Sequence, residues 1–218
     1  MLRRRACARA LGDYAEALAS PSRRYSDAEL RALVAYARAR GVRVVPEIDV
    51  PAHTRAWGAA FPEILVACPR HAATRENPSD VPALDPSAAR TYSVVDAVVR
   101  HVARIFPDEF MHLGADEVRT ECWLEDAALM ETLARRYPSN KTDRERVHSA
   151  NQEFESAALE SARRAGKRPV VWQGALDAGL ALGRDVVVEP WKCWSGMHTN
   201  AARRAADKGH AVLDASCW

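Results

Sequence analysis

The segment Phe110–Trp123, FMHLGADEVRTECW, places two adjacent carboxylates, Asp116 and Glu117, shortly after His112 and Gly114. Two like charges a few ångströms apart do not both ionise cheaply once shielded from water. The pair is therefore either an exposed acidic turn or a device that keeps one carboxyl ionised and the other protonated near neutral pH. Successive side chains of a strand face opposite sides. Both carboxyls reach one pocket only if the strand has ended by Gly114–Ala115, and Gly114 permits that turn. A second cluster, PEIDVPAHTRAW at 46–57, offers Asp49, His53 and Trp57. Its plain alternative is a loop with a structural Asp and a satisfied His. Asp49, His53, His112 and Asp116 are also acceptable metal ligands, although no HxH or HExxH pair fixes two of them on one element.

Trp172, Trp191 and Trp218 each fall at the end of an expected strand. One such Trp is most often core, but three at equivalent positions form an aromatic wall, and flat apolar walls suit the C–H face of a sugar ring. A carboxylate pair beside that wall points to glycoside hydrolysis.

The elements that must position these groups follow a repeated beat. Three helix stops marked by Gly run straight into apolar segments: RARG–VRVVPEIDVP (38–51), RRAG–KRPVVW (163–172) and ADKG–HAVLDA (206–215). Gly at a helix C-terminus followed by a β-branched run signals a helix-to-strand junction. The helix before the first strand opens with a capping box, Ser26-Asp27-Ala28-Glu29, and carries Leu30, Leu33, Val34 and Ala37 at helical spacing. A second helix over roughly 87–105 shows Val94, Val95, Val98, Val102 and Ile105, and two more are expected over 125–136 and 144–165. Strands are expected at 42–48, 109–113, 168–172, 185–189 and 210–214, and their apolar character predicts a parallel sheet covered on both faces. Chemistry-bearing residues gathered just after the strands favour a (β/α)₈ TIM-type barrel over an open sheet. Only about five of the eight strands are found, so either strands escape the pattern or the barrel is incomplete, and the incomplete barrel is the expectation. Residues 1–25 are expected to be an irregular remnant of preceding elements, and 26–218 a partial catalytic barrel.

At 218 residues the chain is long enough for one domain with a real core, 48% of it is apolar, and its formal charge is +2. Arginines spread over helix faces give no basic patch, so a nucleic-acid partner is not expected. No apolar run approaches membrane-spanning length. The Arg-rich start, MLRRRACARALGDY, has no apolar stretch behind it and does not read as a secretory signal. Five cysteines, at 7, 68, 122, 193 and 217, show no CxxC spacing, which argues against structural zinc. One glycosylation tripeptide, Asn140-Lys141-Thr142, follows Pro138.

The chain resembles glycoside hydrolase family 20, the β-N-acetylhexosaminidases, especially the eukaryotic lysosomal type. The residues that carry the resemblance are YSDAELRALVAYARARGVRVVPEIDVPAHTRAW, LDPSAARTYSVVDAVV, FPDEFMHLGADEV, then Cys122-Trp123 and VVWQG, in continuous order over about 20–218. The resemblance implies a substrate-assisted retaining mechanism, an exception to the two-carboxylate scheme. In it the 2-acetamido oxygen of the substrate attacks the anomeric carbon. Asp116 would orient that group and support its charge, Glu117 would be general acid and then base, and His53 would join the network around the acid. Trp172, Trp191 and Trp218 would enclose the sugar, with Asp49 in the substrate-binding set.

The resemblance further implies a Cys68–Cys122 disulfide, a lysosomal or secreted location, and glycans ending in N-acetylhexosamine as partners. It implies no cofactor and no metal, and it allows a homo- or heterodimer in the full-length form. Ala115 replaces the second Gly of the family's Gly-Gly-Asp-Glu and Ala52 the Gly before the His, which is tolerable if φ stays negative there. Gly174 stands where many members carry Glu. The family's first-strand Arg, its second strand with an Asp, and the Tyr after the last Trp have no counterpart. Two other readings compete: a metal-dependent TIM-barrel hydrolase, and a truncated, inactive remnant that at most binds amino sugars.

Overall fold

The computed structural model describes residues 25–68, 83–192 and 197–216. Trp218, Cys7, Cys193, Cys217 and the segment 1–24 lie outside these residues. Four parallel strands form one sheet in chain order: β1 (Glu47–Val50), β2 (Phe110–Gly114), β3 (Arg168–Trp172) and β4 (Val187–Glu189). Helices α1 (Asp27–Arg38), α2 (Ala89–Ile105), α3 (Thr120–Glu125), α4 (Ala127–Arg136), α5 (Asp143–Arg164), α6 (Gly174–Asp177) and α7 (Met197–Asp207) alternate with them. Sequential parallel neighbours joined through helices are the wiring of a (β/α) barrel.

Local chemistry explains most of the boundaries. Ser26 Oγ accepts from Glu29 N–H at 3.2 Å while Glu29 Oε2 accepts from Ser26 N–H at 2.6 Å, so the capping box at the start of α1 forms. Thr142 and Glu145 build the same box on α5. Thr142 belongs to the glycosylation tripeptide, whose Asn140 Nδ2 donates to Glu145 O at 2.9 Å and Ser149 Oγ at 2.7 Å. The junction glycines Gly41, Gly166 and Gly209 adopt φ of +74°, +75° and +85°, a region where a Cβ is penalised.

Four expectations need correction. The first strand begins at Glu47 rather than 42: Pro46 has no N–H to donate, and Val42 and Val45 lie exposed beside the sheet edge. The segment 185–189 contributes only Val187–Glu189, because Val186 N–H turns back to Gly183 O. The segment 210–214 is reduced to a single parallel bridge, Val188↔Val212, with Val212 and Leu213 exposed. The helix expected over 125–136 is two helices. Asp126 is extended, ends α3 and caps α4, accepting from Leu129 N–H at 3.0 Å.

The sheet is not apolar on both faces. Val50, Met111, Leu113, Val171 and Val188 pack with Val94, Val95, Val99, Phe154, Ala158 and Leu159 of α2 and α5 in the main core. The alternate residues, Glu47 and Asp49 on β1, His112 on β2, Trp172 on β3 and Glu189 on β4, occupy the other face. Leu33, expected in the stripe of α1, is half exposed, and Val34 is the buried residue of that helix.

A second core cluster lies beside the catalytic-loop candidate. Trp123 is fully buried there, its Nε1–H donating to Leu84 O at 3.1 Å. Cys68 and Cys122 belong to this cluster and form the expected disulfide, with Cα atoms 5.0 Å apart. Cys122 sits in the first turn of α3, not in a loop.

Candidate active site

Strand β2 ends in a run of left-handed residues. Gly114 has φ +72°, and a Cβ there would fall 1.8 Å from Asp49 Oδ1. Glycine is thus required both for its φ and for the approach of the Asp49 side chain. Ala115 at φ +68° and Glu117 at +50° follow, and His53 adopts +56° across the cleft. The condition for an unstrained alanine, a negative φ, is therefore not met at Ala115: the residue occupies the conformation that a glycine would fill without strain. Non-glycine residues held in this region cost on the order of 1–3 kcal/mol each and concentrate where the surrounding fold dictates a geometry. Ala52 is fully buried and is not among the positive-φ residues.

These turns bring together four side chains that the sequence separates by up to 68 positions, from Asp49 to Glu117. His53 Nε2 lies 3.3 Å from Glu117 Oε2, 3.8 Å from Asp49 Oδ2 and 3.8 Å from Asp116 Oδ1. Asp116 is buried, Asp49 and His53 partly so, and Glu117 is the most exposed of the four. Burial, and then the nearby Asp116 charge, pushes the Asp49 carboxyl up to about 9. Asp116 is also raised, first by burial, with His53 pulling it back and Glu117 pushing further. Asp49 thus joins the Asp116–Glu117 pair as a third interacting carboxyl, one that the sequence did not anticipate. A protonated Asp49 leaves Asp116 free to ionise.

Beneath this group lies a layer in which Glu47 and Glu189, which the sequence did not single out, join Trp172 and His112. Trp172 Nε1–H donates to Glu47 Oε1 at 2.9 Å, and its ring lies 4.3 Å from that of His112. His112 Nδ1 accepts from Gly114 N–H at 3.0 Å, which in the neutral ring leaves the proton on Nε2, 3.6 Å from Glu189 Oε2. Burial holds His112 down to about 4 and pushes Glu189 up to about 7, so the imidazole is neutral. Its Nδ1 lone pair is taken by the Gly114 N–H, and the ring stands outside the cluster of potential metal ligands. Asp49, His53 and Asp116 alone bring ligand atoms within 4.8 Å of one another among the described residues.

The second tryptophan, Trp191, is positioned by a polar clamp. Buried Gln173 accepts from the N–H groups of Trp191 and Lys192, both at 3.1 Å, and donates to Asp177 at 3.2 Å. Asp177 also receives Lys192 Nζ at 2.9 Å and Arg204. Adjacency to Trp172 in VVWQG was the available signal for Gln173; Asp177 offered none. Gly174, the departure from the Glu of many members, abuts Asp116, whose Cα would lie 2.7 Å from a Cβ at that position. Trp57 packs against the core, and Trp123 is core outright.

The sequence model described as "Glycosyl hydrolase family 20, catalytic domain" matches residues 7–217. This chain belongs to glycoside hydrolase family 20. Among relatives, it is 31% identical over 199 residues to Beta-hexosaminidase subunit A1 of Dictyostelium discoideum, covering 91% of this chain and 34% of that protein. It is 30% identical over 195 residues to Beta-hexosaminidase subunit beta of Homo sapiens, covering 89% and 33%. The Flavobacterium johnsoniae chitobiase structure superposes with a TM-score of 0.72 at 28% identity, covering 89% of this chain and 29% of that one. A Vibrio harveyi exo-β-N-acetylglucosaminidase solved with N-acetylglucosamine gives 0.70 at 26%, covering 87% and 28%. The chain spans about a third of the length of the curated relatives it matches. The family's catalytic domain is a TIM barrel, and the four parallel strands are an incomplete portion of one. No helix among the described residues is long and apolar enough to cross a membrane.

Proposed function

We propose that this chain is the central part of a β-N-acetylhexosaminidase barrel that removes terminal, non-reducing β-linked N-acetylhexosamine by substrate-assisted retention. Residues 26–218 supply this part of the barrel, and 1–25 belong to preceding elements. The observation that carries the reading is the convergence of Asp49 and His53 on Asp116 and Glu117 at the C-terminal ends of β1 and β2, the end of a (β/α) barrel where chemistry is done.

Asp116, ionised beside a protonated Asp49, accepts the acetamido N–H and turns its carbonyl oxygen toward the anomeric carbon. That oxygen forms the new C–O bond as the glycosidic bond breaks, and the Glu117 proton passes to the leaving oxygen. The positive charge spread over the oxazoline-like ring is held by the Asp116 carboxylate. Water then attacks the anomeric carbon, gives its proton to Glu117 and reopens the ring. His53 Nε2, 3.3 Å from Glu117, orients and polarises that carboxyl. Trp172 and Trp191 flank the sugar; Trp218 is proposed to join them but lies outside the described residues. The disulfide requires an oxidising compartment and supports a lysosomal or secreted location. The relatives' subunit names support a homo- or heterodimeric full-length form.

Glu117→Gln should cut turnover roughly 10²–10⁴-fold for substrates with poor leaving groups and much less for good ones. Asp116→Asn should cost about 10²–10³-fold for both. Equal losses for both leaving groups in Glu117→Gln would remove it as the acid. Saturable binding of N-acetylglucosamine without any turnover would instead favour the inactive-remnant reading.

A further inference from the structure

We propose that Asp49, His53 and Asp116 form a binding site for a divalent cation of the zinc type, which competes with the sugar rather than serving its hydrolysis. One ligand atom from each residue lies within 4.8 Å of the other two. The His53 Nε2 separations from Asp49 Oδ2 and Asp116 Oδ1 are both 3.8 Å. With metal–ligand bonds of about 2.0–2.1 Å, tetrahedral neighbours sit roughly 3.4 Å apart, so small side-chain rotations complete the geometry. Imidazole nitrogen with two carboxylates is a donor set suited to zinc and its neighbours.

The second observation concerns the carboxylates themselves. Asp116 is 8% exposed, and its Oδ1, the atom that faces His53, is buried with no hydrogen-bond partner. Asp49 Oδ1 is buried without a partner as well. Neither Asp49 nor Asp116 forms an ion pair with Lys or Arg among the described residues; without a metal the proton on Asp49 offsets part of the cost of burying the pair, and a cation that displaces this proton offsets it more fully. Asp49 is also fixed in place: it stands on β1 with its Oδ1 in the space that Gly114 leaves by lacking a Cβ. Asp49 on β1, with His53 and Asp116 on the segments that follow β1 and β2, leaves a fourth position on the solvent side, where Glu117, whose side chain is 44% exposed, reaches within 3.3 Å of the same His53 nitrogen. Water or that carboxylate completes the shell.

A cation there takes up the Asp116 carboxylate and the His53 nitrogen that the proposed chemistry needs free. The competitive half of this inference rests on the proposed function; the binding half does not. Titration of the chain with Co²⁺, read by visible absorption, and with Zn²⁺, read by calorimetry, tests the binding half directly. The expected result is one saturable site whose cobalt spectrum lacks the thiolate charge-transfer band of a cysteine site. Affinity should weaken at least about tenfold in each of Asp49→Asn, His53→Gln and Asp116→Asn, while far-UV circular dichroism stays native. No saturable site, a thiolate band, or undiminished affinity in the natively folded variants overturns the inference. Binding with the expected variant pattern upholds it whether or not sugar is turned over. Where sugar is turned over, Zn²⁺ should raise the apparent KM and leave kcat unchanged, and a fall in kcat at constant KM overturns the competitive half.

Discussion

The two ends of the sheet treat the same side chain in opposite ways. At the N-terminal ends of the strands, Asp108 accepts from Arg43 at 2.8 and 2.9 Å, and Asp185 accepts from Arg163 Nε at 2.7 Å. Arg hydrogen bonding is the leading cause that holds both carboxyls below their ordinary range. Lys167 caps Phe106 O and Asp108 O, and Arg168 caps Asp185 O. At the C-terminal ends, Asp49, Asp116 and Glu189 are all raised by burial, and other carboxyls add to the effect in each case. One end matches Asp108 and Asp185 with arginines and gains modest stability. At the other end Asp177 is paired with Lys192 and Arg204, but Asp49, Asp116 and Glu189 stand against one another and against imidazole, which opposes stability and, in the proposed mechanism, serves proton transfer.

Four changes break or sharpen this contrast. The largest effect is expected from the disulfide, which ties Cys68 to α3 across 54 residues at the C-terminal end. Loop-closure entropy gives about 4 kcal/mol for a loop of that size, so Cys122→Ser should lose on the order of 2–4 kcal/mol in urea unfolding, with protection from hydrogen exchange falling first around 115–125. Next comes Gly114→Ala, which meets both a left-handed φ and an Asp49 oxygen 1.8 Å from the new Cβ. A loss of about 3 kcal/mol is expected, together with displacement of Asp49 visible in a crystal structure; an unchanged unfolding midpoint would remove the argument for a rigid Asp49.

The third change concerns Glu155, which belongs to neither end. It is fully buried on α5, neither oxygen has a hydrogen-bond partner, and burial alone raises it to about 8 from 4.5. Its folded state therefore holds a proton that the unfolded state has released between about pH 4.5 and 8. Stability should fall as pH rises through that window, by up to about 1.4 kcal/mol per pH unit and about 3 kcal/mol by pH 7. Glu155→Gln should flatten the slope, and denaturant midpoints from pH 5 to 8 measure it. The smallest effect belongs to the paired end: Asp108→Asn should cost about 1 kcal/mol or less, since Arg43 is largely exposed. A loss comparable to that of Gly114→Ala would erase the distinction between the two ends.

What was legible in the sequence is what local chemistry controls. Ser26 and Glu29, the glycines at 41, 166 and 209, and the disulfide partners all stand where their types and the family resemblance put them. The loop from Gly114 to Glu117 was legible as a turn, because glycine after an apolar strand permits it. Its continuation was not. Ala115 at φ +68° is imposed by contacts from β1, including Ala115 N–H to Val50 O at 3.1 Å, and nothing in the identity of an alanine announces a left-handed residue. The coupling of Asp49 to Asp116 was equally hidden, because it depends on burial and on a pairing of β1 with β2 that no local pattern encodes. The segment 210–214 had strand composition but meets β4 through one bridge, so propensity without a full ladder gave too long a strand.

The central claim is that the acids at the C-terminal end act through the substrate's own acetamido group. Its most direct test compares hydrolysis of an aryl β-N-acetylglucosaminide with that of the aryl β-glucoside lacking that group, on this chain with the remaining barrel strands supplied. The N-acetylated substrate should be cleaved with retention and the plain glucoside left intact, because no protein carboxylate is proposed to attack. Cleavage of both at similar rates would contradict the account and return Asp116 to the role of nucleophile or metal ligand.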